Sequence, residues 1–231
     1  MNCIYCGYSC IKRGKSGNVQ RYKCKSCKKS QQTIYTKLRI SQEKYKWTVK
    51  LNNEGCGISN IARLLEISKS SVQRLIERIA ADMQIPQLNE YGQSYEIDEL
   101  RTFVGTKKNE LWLIYAINRK SKQVIDFCVG RRTKENIAKV VATLLKLQPK
   151  HIYSDQLNIY ESLINKTIHK VYTRCINYIE RKNLTLRTHI KRLNRKTICF
   201  TRNANMLKNC VLLYCCTEKK IKVVSNHAVA C

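Results

Sequence analysis

Cys3-Ile4-Tyr5-Cys6 and Cys24-Lys25-Ser26-Cys27 are two C-x-x-C pairs with 17 residues between them. Two thiolates three positions apart can chelate one tetrahedral ion from a tight knuckle. Two such knuckles, on Cys3, Cys6, Cys24 and Cys27, complete the closed four-sulfur shell of structural Zn²⁺. The spacing predicts a small zinc ribbon over residues 1–40, with Ile11, Val19 and Tyr22 on short strands between the knuckles. So short a segment cannot build a core of its own, so the metal would supply its folding energy. The competing reading is a pair of disulfides. The chain holds 13 cysteines, an odd number, with five before residue 28 and the rest scattered. An oxidised secreted scaffold uses an even, regular set, so a reducing cytoplasm fits better. Cys10 lies off the pattern and reads as a spare or substitute ligand.

Charge narrows the partners. Lys and Arg number 44 against 16 Asp and Glu, a formal net charge of +28. Self-repulsion of that size calls for a polyanion, and nucleic acid is favoured over an anionic membrane surface. At 43% hydrophobic the chain can bury a real core, which excludes a disordered basic tail. There is no run of 18 uncharged apolar residues, so no spanning helix is expected. Met1-Asn2-Cys3 runs straight into the first cysteine pair, so no secretory signal is expected either. The charge is uneven: no acid precedes Glu43, and only Glu218 follows Glu180. Pro86, near Asn89 and Gly92, marks a linker. Four segments are therefore expected: 1–40, 41–85, 92–214 and a tail at 215–231.

Residues 41–85 read as a helix-turn-helix. Ser41 can cap a first helix through Lys50, with Tyr45, Trp47, Val49 and Leu51 as its apolar contacts. Gly55 and Gly57 interrupt it. A short helix over 60–66 turns Ile61, Leu64 and Leu65 inward. Ser68 to Ser71 caps a longer helix whose Val72, Leu75, Ile76 and Ile79 repeat at three and four positions. The second helix of such a pair enters the DNA major groove by its amino end, which here carries Lys69, Ser70, Ser71, Gln73 and Arg74. A helical hairpin used only for packing is the alternative.

Residues 92–214 read as α/β. Strands are expected at 94–105, 111–117, 123–129, 150–155 and 168–173, with helices over 133–147 and 176–193. The order β-β-β-α-β-α-β-α is that of a ribonuclease-H-like fold. Three acids stand out in it: Asp98 within the first strand, Asp155 at the end of the fourth, and Glu180 near the start of the last helix. Desolvating an isolated carboxylate costs several kcal/mol, on the order of a lost buried ion pair. A divalent cation offsets that cost, and three converging carboxylates can hold two Mg²⁺ about 4 Å apart. Asn183 and Arg187 share the helical face of Glu180, where a cation could hold a DNA phosphate. Ile179, Leu186, Ile190 and Leu193 form the opposite stripe, and His189 reads as packed or surface. Glu96, Glu99 and Asp126 are reserve acids, with Glu99 on the other side of its strand from Asp98.

The stretch Ile179-Glu180-Arg181-Lys182-Asn183-Leu184-Thr185-Leu186-Arg187, continuing through Arg192-Leu193-Asn194-Arg195-Lys196-Thr197 to Phe200, resembles the signature of the insertion-sequence-1 family of bacterial DDE transposases. Ile97-Asp98-Glu99-Leu100 to Gly105, then Leu111-Trp112-Leu113, is similar to that family's first catalytic strand and hairpin. Tyr153-Ser154-Asp155 with Tyr160-Glu161 resembles its second acidic motif. The cysteine knuckles and helix-turn-helix match too, so the resemblance covers residues 3 to about 214; Cys215 to Cys231 are left unmatched. It implies a transposase that binds the inverted-repeat ends of a mobile element and catalyses Mg²⁺-dependent strand cleavage and transfer. Its triad falls on Asp98, Asp155 and Glu180, with Arg187 as a supporting cation. It also implies double-stranded DNA as partner, a homo-oligomer on that DNA, and work on the bacterial nucleoid without a membrane. A different class of function stands beside it: a zinc and helix-turn-helix repressor whose nuclease domain is inert.

Overall fold

The computed structural model describes residues 1–33, 40–83, 91–171, 177–194 and 199–224, with side chains through Thr217. The linker residues Pro86 and Asn89, the start of the last expected helix at Ile176, and Arg195, Lys196 and Thr197 lie outside them. The chain forms two compact units, Met1–Ser41 and Gln42–Cys231.

The first unit is a three-stranded antiparallel sheet of β1 (Cys10–Ser16), β2 (Val19–Cys24) and β3 (Ser30–Gln32). It has almost no apolar interior: β1 is exposed after Cys10, and Cys3, Cys24 and Gln31 are its buried residues among those described. Gln31 does the stitching. Its side chain donates to the Asn2 carbonyl at 2.9 Å and accepts from the Ile4 N–H at 2.8 Å, tying the first knuckle to β3.

The second unit opens with α1 (Gln42–Asn53), α2 (Ile58–Leu64) and α3 (Lys69–Ala81). Ser68 caps α3 by accepting the Ser71 N–H at 3.1 Å, and Val72, Leu75, Ile76 and Ala80 form its buried face. Two expectations need correction. On α1, Val49 and Leu51 pack on the core as expected, but the fully buried residues are Thr48 and Asn52 and Trp47 is 44% exposed; the Asn52 amide donates to the Cys210 carbonyl at 3.2 Å. On α2, Ile61 and Ala62 are buried and Leu64 faces solvent at 57% exposure. Gly55 ends α1 at a φ of +76°, and a Cβ there would meet the Thr188 carbonyl oxygen at 3.0 Å.

The sheet follows as β4 (Ser94–Phe103), β5 (Glu110–Asn118) and β6 (Val124–Gly130), then α4 (Lys134–Lys146), β7 (His151–Ser154), α5 (Asn158–Glu161), β8 (His169–Val171) and α6 (Asn177–His189). Strand order is β6-β5-β4-β7-β8. β4, β5 and β6 pair antiparallel; β7 and β8 join in parallel. Alternation divides the core cleanly. Tyr95, Ile97, Ile114 and Ala116 face Ile137, Val140, Val141 and Leu144 of α4. Leu100, Leu113, Tyr115 and Ile117 face Ile179 and Leu186 of α6. That last helix is shorter than expected; Ile190 and Leu193 stay buried through a 3₁₀ turn at Lys191–Leu193.

α7 (Ala204–Val224) carries the chain into the segment left unmatched at 215–231. Leu207, Val211, Tyr214 and Cys215 pack on the sheet, whereas Met206, Cys210 and Leu213 pack on Ile61, Val72 and Ile76. The three-helix segment thus shares a core with the sheet through α7, and the two do not separate into compact units of their own. Among the described residues no helix is long and apolar enough to cross a membrane.

Candidate functional site

The parallel register of β4 and β7 builds the centre of the site. Ser94, Tyr95 and Glu96 lie opposite His151, Ile152 and Tyr153. Two residues further on each chain stand Asp98 and Asp155, side by side where the strands part. One carboxylate oxygen each from Asp98, Glu99 and Asp155 lies within 4.8 Å of the others. All are hard oxygen donors, the kind that suits Mg²⁺ or Mn²⁺. Burial pushes the Asp98 carboxyl above its ordinary value, and the charges of Asp155 and Glu180 push the same way. The Asn183 amide and Glu99 N–H oppose them without cancelling them.

α6 is tied to this centre by hydrogen bonds. Asn183 donates to Asp98 Oδ2 at 2.7 Å and accepts from the Tyr115 hydroxyl at 2.8 Å. Glu180, expected as the third acid, lies one turn earlier on the same face, is exposed, and stands outside the close group of Asp98, Glu99 and Asp155. It lines, with Asp98, Glu99, Asn183 and Arg187, a cavity of about 660 Å³. Arg187 donates to the Leu193 carbonyl at 2.7 Å, which holds its guanidinium along the wall of that cavity. His189 is half-buried, stacked on Tyr214 with Nδ1 at 2.7 Å from the Asn53 carbonyl, away from the acids.

Glu99 reaches the cluster although its Cβ points to the other face of β4. Its Oε1 accepts from the Tyr160 hydroxyl at 2.5 Å and its Oε2 pairs with Arg132 at 3.0 Å. Burial raises its carboxyl, with Tyr160 and Arg132 opposing. Arg132 also lies 3.8 Å from Asp155 Oδ2 and 4.9 Å from the Trp112 ring centre, so one guanidinium faces two acids. Arg132 carried no sequence signal, and Tyr160 entered only as part of the second acidic motif; the contact of each with Glu99 comes only through the fold. Asp126 takes the Thr143 hydroxyl at 2.6 Å and the Phe127 N–H, well outside the group.

In the first unit the sulfurs of Cys3, Cys6, Cys24 and Cys27 also lie within 4.8 Å of one another. Cys3 and Cys27 are 3.6 Å apart and Cys6 and Cys24 are 3.5 Å apart. A tetrahedral ion with metal–sulfur bonds of about 2.3 Å has edges of roughly 3.8 Å, whereas a disulfide is about 2.05 Å long. Burial opposes ionisation of Cys24, yet the N–H groups of Cys27 and Ser26 and the Cys6 thiol bring it down to about 6. For Cys27 the Lys29 N–H favours the thiolate, but burial and the three neighbouring sulfurs win and raise it to about 12. Four thiolates therefore need a cation among them. Cys10 lies outside this set.

At the amino end of α3, Lys69, Ser70, Gln73 and Arg74 are exposed and Ser71 is half-buried. Lys69 and Gln73 also line a cavity of about 310 Å³ shared with Lys191, Arg192 and Arg202.

Comparison with known proteins covers the same region. A sequence model described as IS1 transposase matches residues 93–220. The insertion element iso-IS1n protein InsB of Shigella dysenteriae is 41% identical over 114 residues, 48% of this chain and 85% of that protein. The insertion element IS1 protein InsB of Shigella flexneri is 32% identical over 111 residues, 48% of this chain and 85% of that protein. A chain in the cryo-EM structure of the simian T-cell lymphotropic virus intasome with the PP2A regulatory subunit B56 gamma has 16% identity and a TM-score of 0.39, covering 74% of this chain and 67% of that one. The family match takes in both acid-bearing strands, α6 and most of α7, more than half of the residues, and the chain belongs to the IS1 transposase family.

Proposed function

We propose that the chain is a DDE transposase that cuts and joins DNA strands at the ends of an insertion element, using divalent cations held by Asp98, Asp155 and Glu180. The observation that carries this reading is the register of β4 and β7. It sets Asp98 beside Asp155 within a family-matched segment, with α6 fastened to Asp98 through Asn183. The strand order, with helices on both faces, agrees with a ribonuclease-H-like domain. Divalent ions bound there supply positive charge against the phosphate and the leaving oxygen of an in-line displacement. The chain's own groups do the rest. Asp98 offers a ligand oxygen from inside β4 and Asp155 one from just past the end of β7, and Asn183 fixes the orientation of Asp98. Glu180 completes the set from the cavity wall. Arg187 is placed to hold a DNA phosphate, and Arg132 offsets part of the negative charge of Glu99 and Asp155. In cleavage, the water oxygen bonds to phosphorus as the 3′ oxygen departs with the electron pair. In joining, that 3′-hydroxyl attacks a target phosphodiester in the same way. Purified protein, Mg²⁺ and a supercoiled plasmid carrying the element's ends test this directly: nicked and joined products are expected, and none would form from an inert repressor.

Glu99 provides an internal check. Its oxygens accept from Tyr160 and pair with Arg132, and the proposal gives it the role of holding Arg132, leaving the metal to Asp98, Asp155 and Glu180. Glu99→Gln keeps an acceptor for Tyr160, and cleavage should stay within about tenfold of wild type, a change of roughly 1.4 kcal/mol in barrier. A dead Glu99→Gln beside an active Asp98→Asn would move the assignment by one residue.

The same proposal assigns structural zinc to Cys3, Cys6, Cys24 and Cys27, supported by their converging sulfurs, and groove reading to α2 and α3. Lys69, Ser70, Ser71, Gln73 and Arg74 would face the bases or phosphates of the element ends in the cytoplasm. With a net charge of +28, affinity should fall steeply with salt, each neutralised phosphate adding about 0.9 to the logarithmic slope. Arg74→Ala should weaken binding to the ends by about 1–3 kcal/mol and affect random DNA less. Competition mobility-shift assays separate the cases, because equal losses on both DNAs would assign Arg74 to a phosphate.

A further inference from the structure

Glu96 is fully buried inside β4, two residues before Asp98 and on the same face. Its Oε2 accepts the Ile179 N–H at 2.8 Å, in the first turn of α6 and one residue before Glu180. Its Oε1 pairs with Arg119 Nε at 2.9 Å. The Arg119 guanidinium lies 4.1 Å from the ring centre of Tyr153, two residues before Asp155. It lies 5.5 Å from the ring of Tyr178, two residues before Glu180. Arg119 is itself fixed by its N–H bond to the Ser94 carbonyl at the start of β4, and by the turn that the Asn118 side chain closes on the N–H groups of Lys120 and Ser121. One ion pair thus touches β4, β7 and α6, each within two residues of an acid.

The chemistry suits a spacer. The first turn of a helix has N–H groups without intrahelical acceptors and favours an anion beside it. A carboxylate there sets both the distance and the angle of the helix, whereas an apolar side chain would set neither and would leave the Ile179 N–H unpaired. The planar guanidinium on the other side holds two aromatic rings at fixed separations. We propose that Glu96 and Arg119 are positioning residues that set the separation of Asp98, Asp155 and Glu180 for a divalent cation. This rests on the metal-binding role given to those three acids.

The test measures Mn²⁺ bound to the full chain by electron paramagnetic resonance, alongside the Mg²⁺ concentration for half-maximal plasmid cleavage and the melting temperature. Glu96→Ala should weaken Mn²⁺ binding, and raise the Mg²⁺ requirement, by about 10- to 100-fold, as removal of groups behind metal ligands does. Glu96→Gln keeps an oxygen for the Ile179 N–H and should recover most of the loss. Arg119→Lys keeps charge but not the planar contact and should fall between them. A lowered melting temperature with wild-type Mn²⁺ binding would make the pair merely structural and overturn the proposal. Should Glu96→Ala not fold, wild-type binding in both Glu96→Gln and Arg119→Lys overturns it equally. Asp98→Asn is the control: if it still binds Mn²⁺, the metal site itself is wrong and the proposal falls with it. If it loses Mn²⁺ while the Glu96 variants do not, the positioning role alone fails.

Discussion

Asp98→Asn should lower cleavage and joining at least about 10³-fold, equivalent to about 4 kcal/mol of barrier, while the protein still binds DNA. The size of the effect follows from where Asp98 stands. It is held by two hydrogen bonds, from the Glu99 N–H and the Asn183 amide, at the point where β4 and β7 separate. An amide of the same shape keeps the fold but offers no negative charge to a cation. It also sets an NH₂ group against the Asn183 donor in one of its two orientations. Binding should be intact or slightly tighter, since one charge that repels phosphate is gone. Asp155→Asn and Glu180→Gln should behave alike, and Arg187→Ala should lose less because it positions and does not ligate. Plasmid cleavage and mobility-shift assays on the same preparations decide it. Asp98→Asn retaining a tenth of wild-type activity would sink the assignment.

Cys24→Ser should unfold the first unit and leave the second standing. Residues 1–41 form a compact unit whose described interior is Cys3, Cys24 and the amide of Gln31. Three short strands with so little apolar burial cannot outweigh the entropy of ordering them. A structural zinc contributes on the order of 10–16 kcal/mol in small modules, enough to decide between folded and unfolded. Elemental analysis should find one zinc per chain. In spectra of Cys24→Ser, or of the wild type with a strong chelator, the amide signals of β1–β3 should collapse while those of β4–β8 persist. A zinc-free preparation with β1–β3 intact would falsify this.

The strands and α4 were legible because each is covered in a regular way. β4 and β5 alternate between two cores, and α4 carries one apolar stripe with Thr133 as its cap. α7 was not legible for the opposite reason. Met206, Leu207, Cys210, Val211, Leu213, Tyr214 and Cys215 are buried on two sides, so the segment lacks the polar face that marks an amphipathic helix. On α1 a buried Asn52 answers a carbonyl 158 residues away, which no local pattern can announce. The acids Asp98 and Asp155 could be found from their places at strand positions and from the family signature. The reach of Glu99 could not, because alternation governs the Cβ and leaves a long side chain free to curl round the strand. Glu96 looked like a spare acid because its partner, the Ile179 N–H, is a backbone group 83 residues on.

α7 lends one face to the sheet and the other to α2 and α3, so the helix assigned to reading DNA and the strand bearing Asp98 belong to one folded body. On the proposed function, a duplex seated against Lys69 and Arg74 would meet the acids at a set distance along its axis and a set angle around it. B-form DNA completes a turn in about 10–10.5 base pairs. Roughly five extra base pairs between the recognised sequence and the cut would carry the scissile phosphate to the far side of the duplex, and about ten would return it to the same side one turn further away.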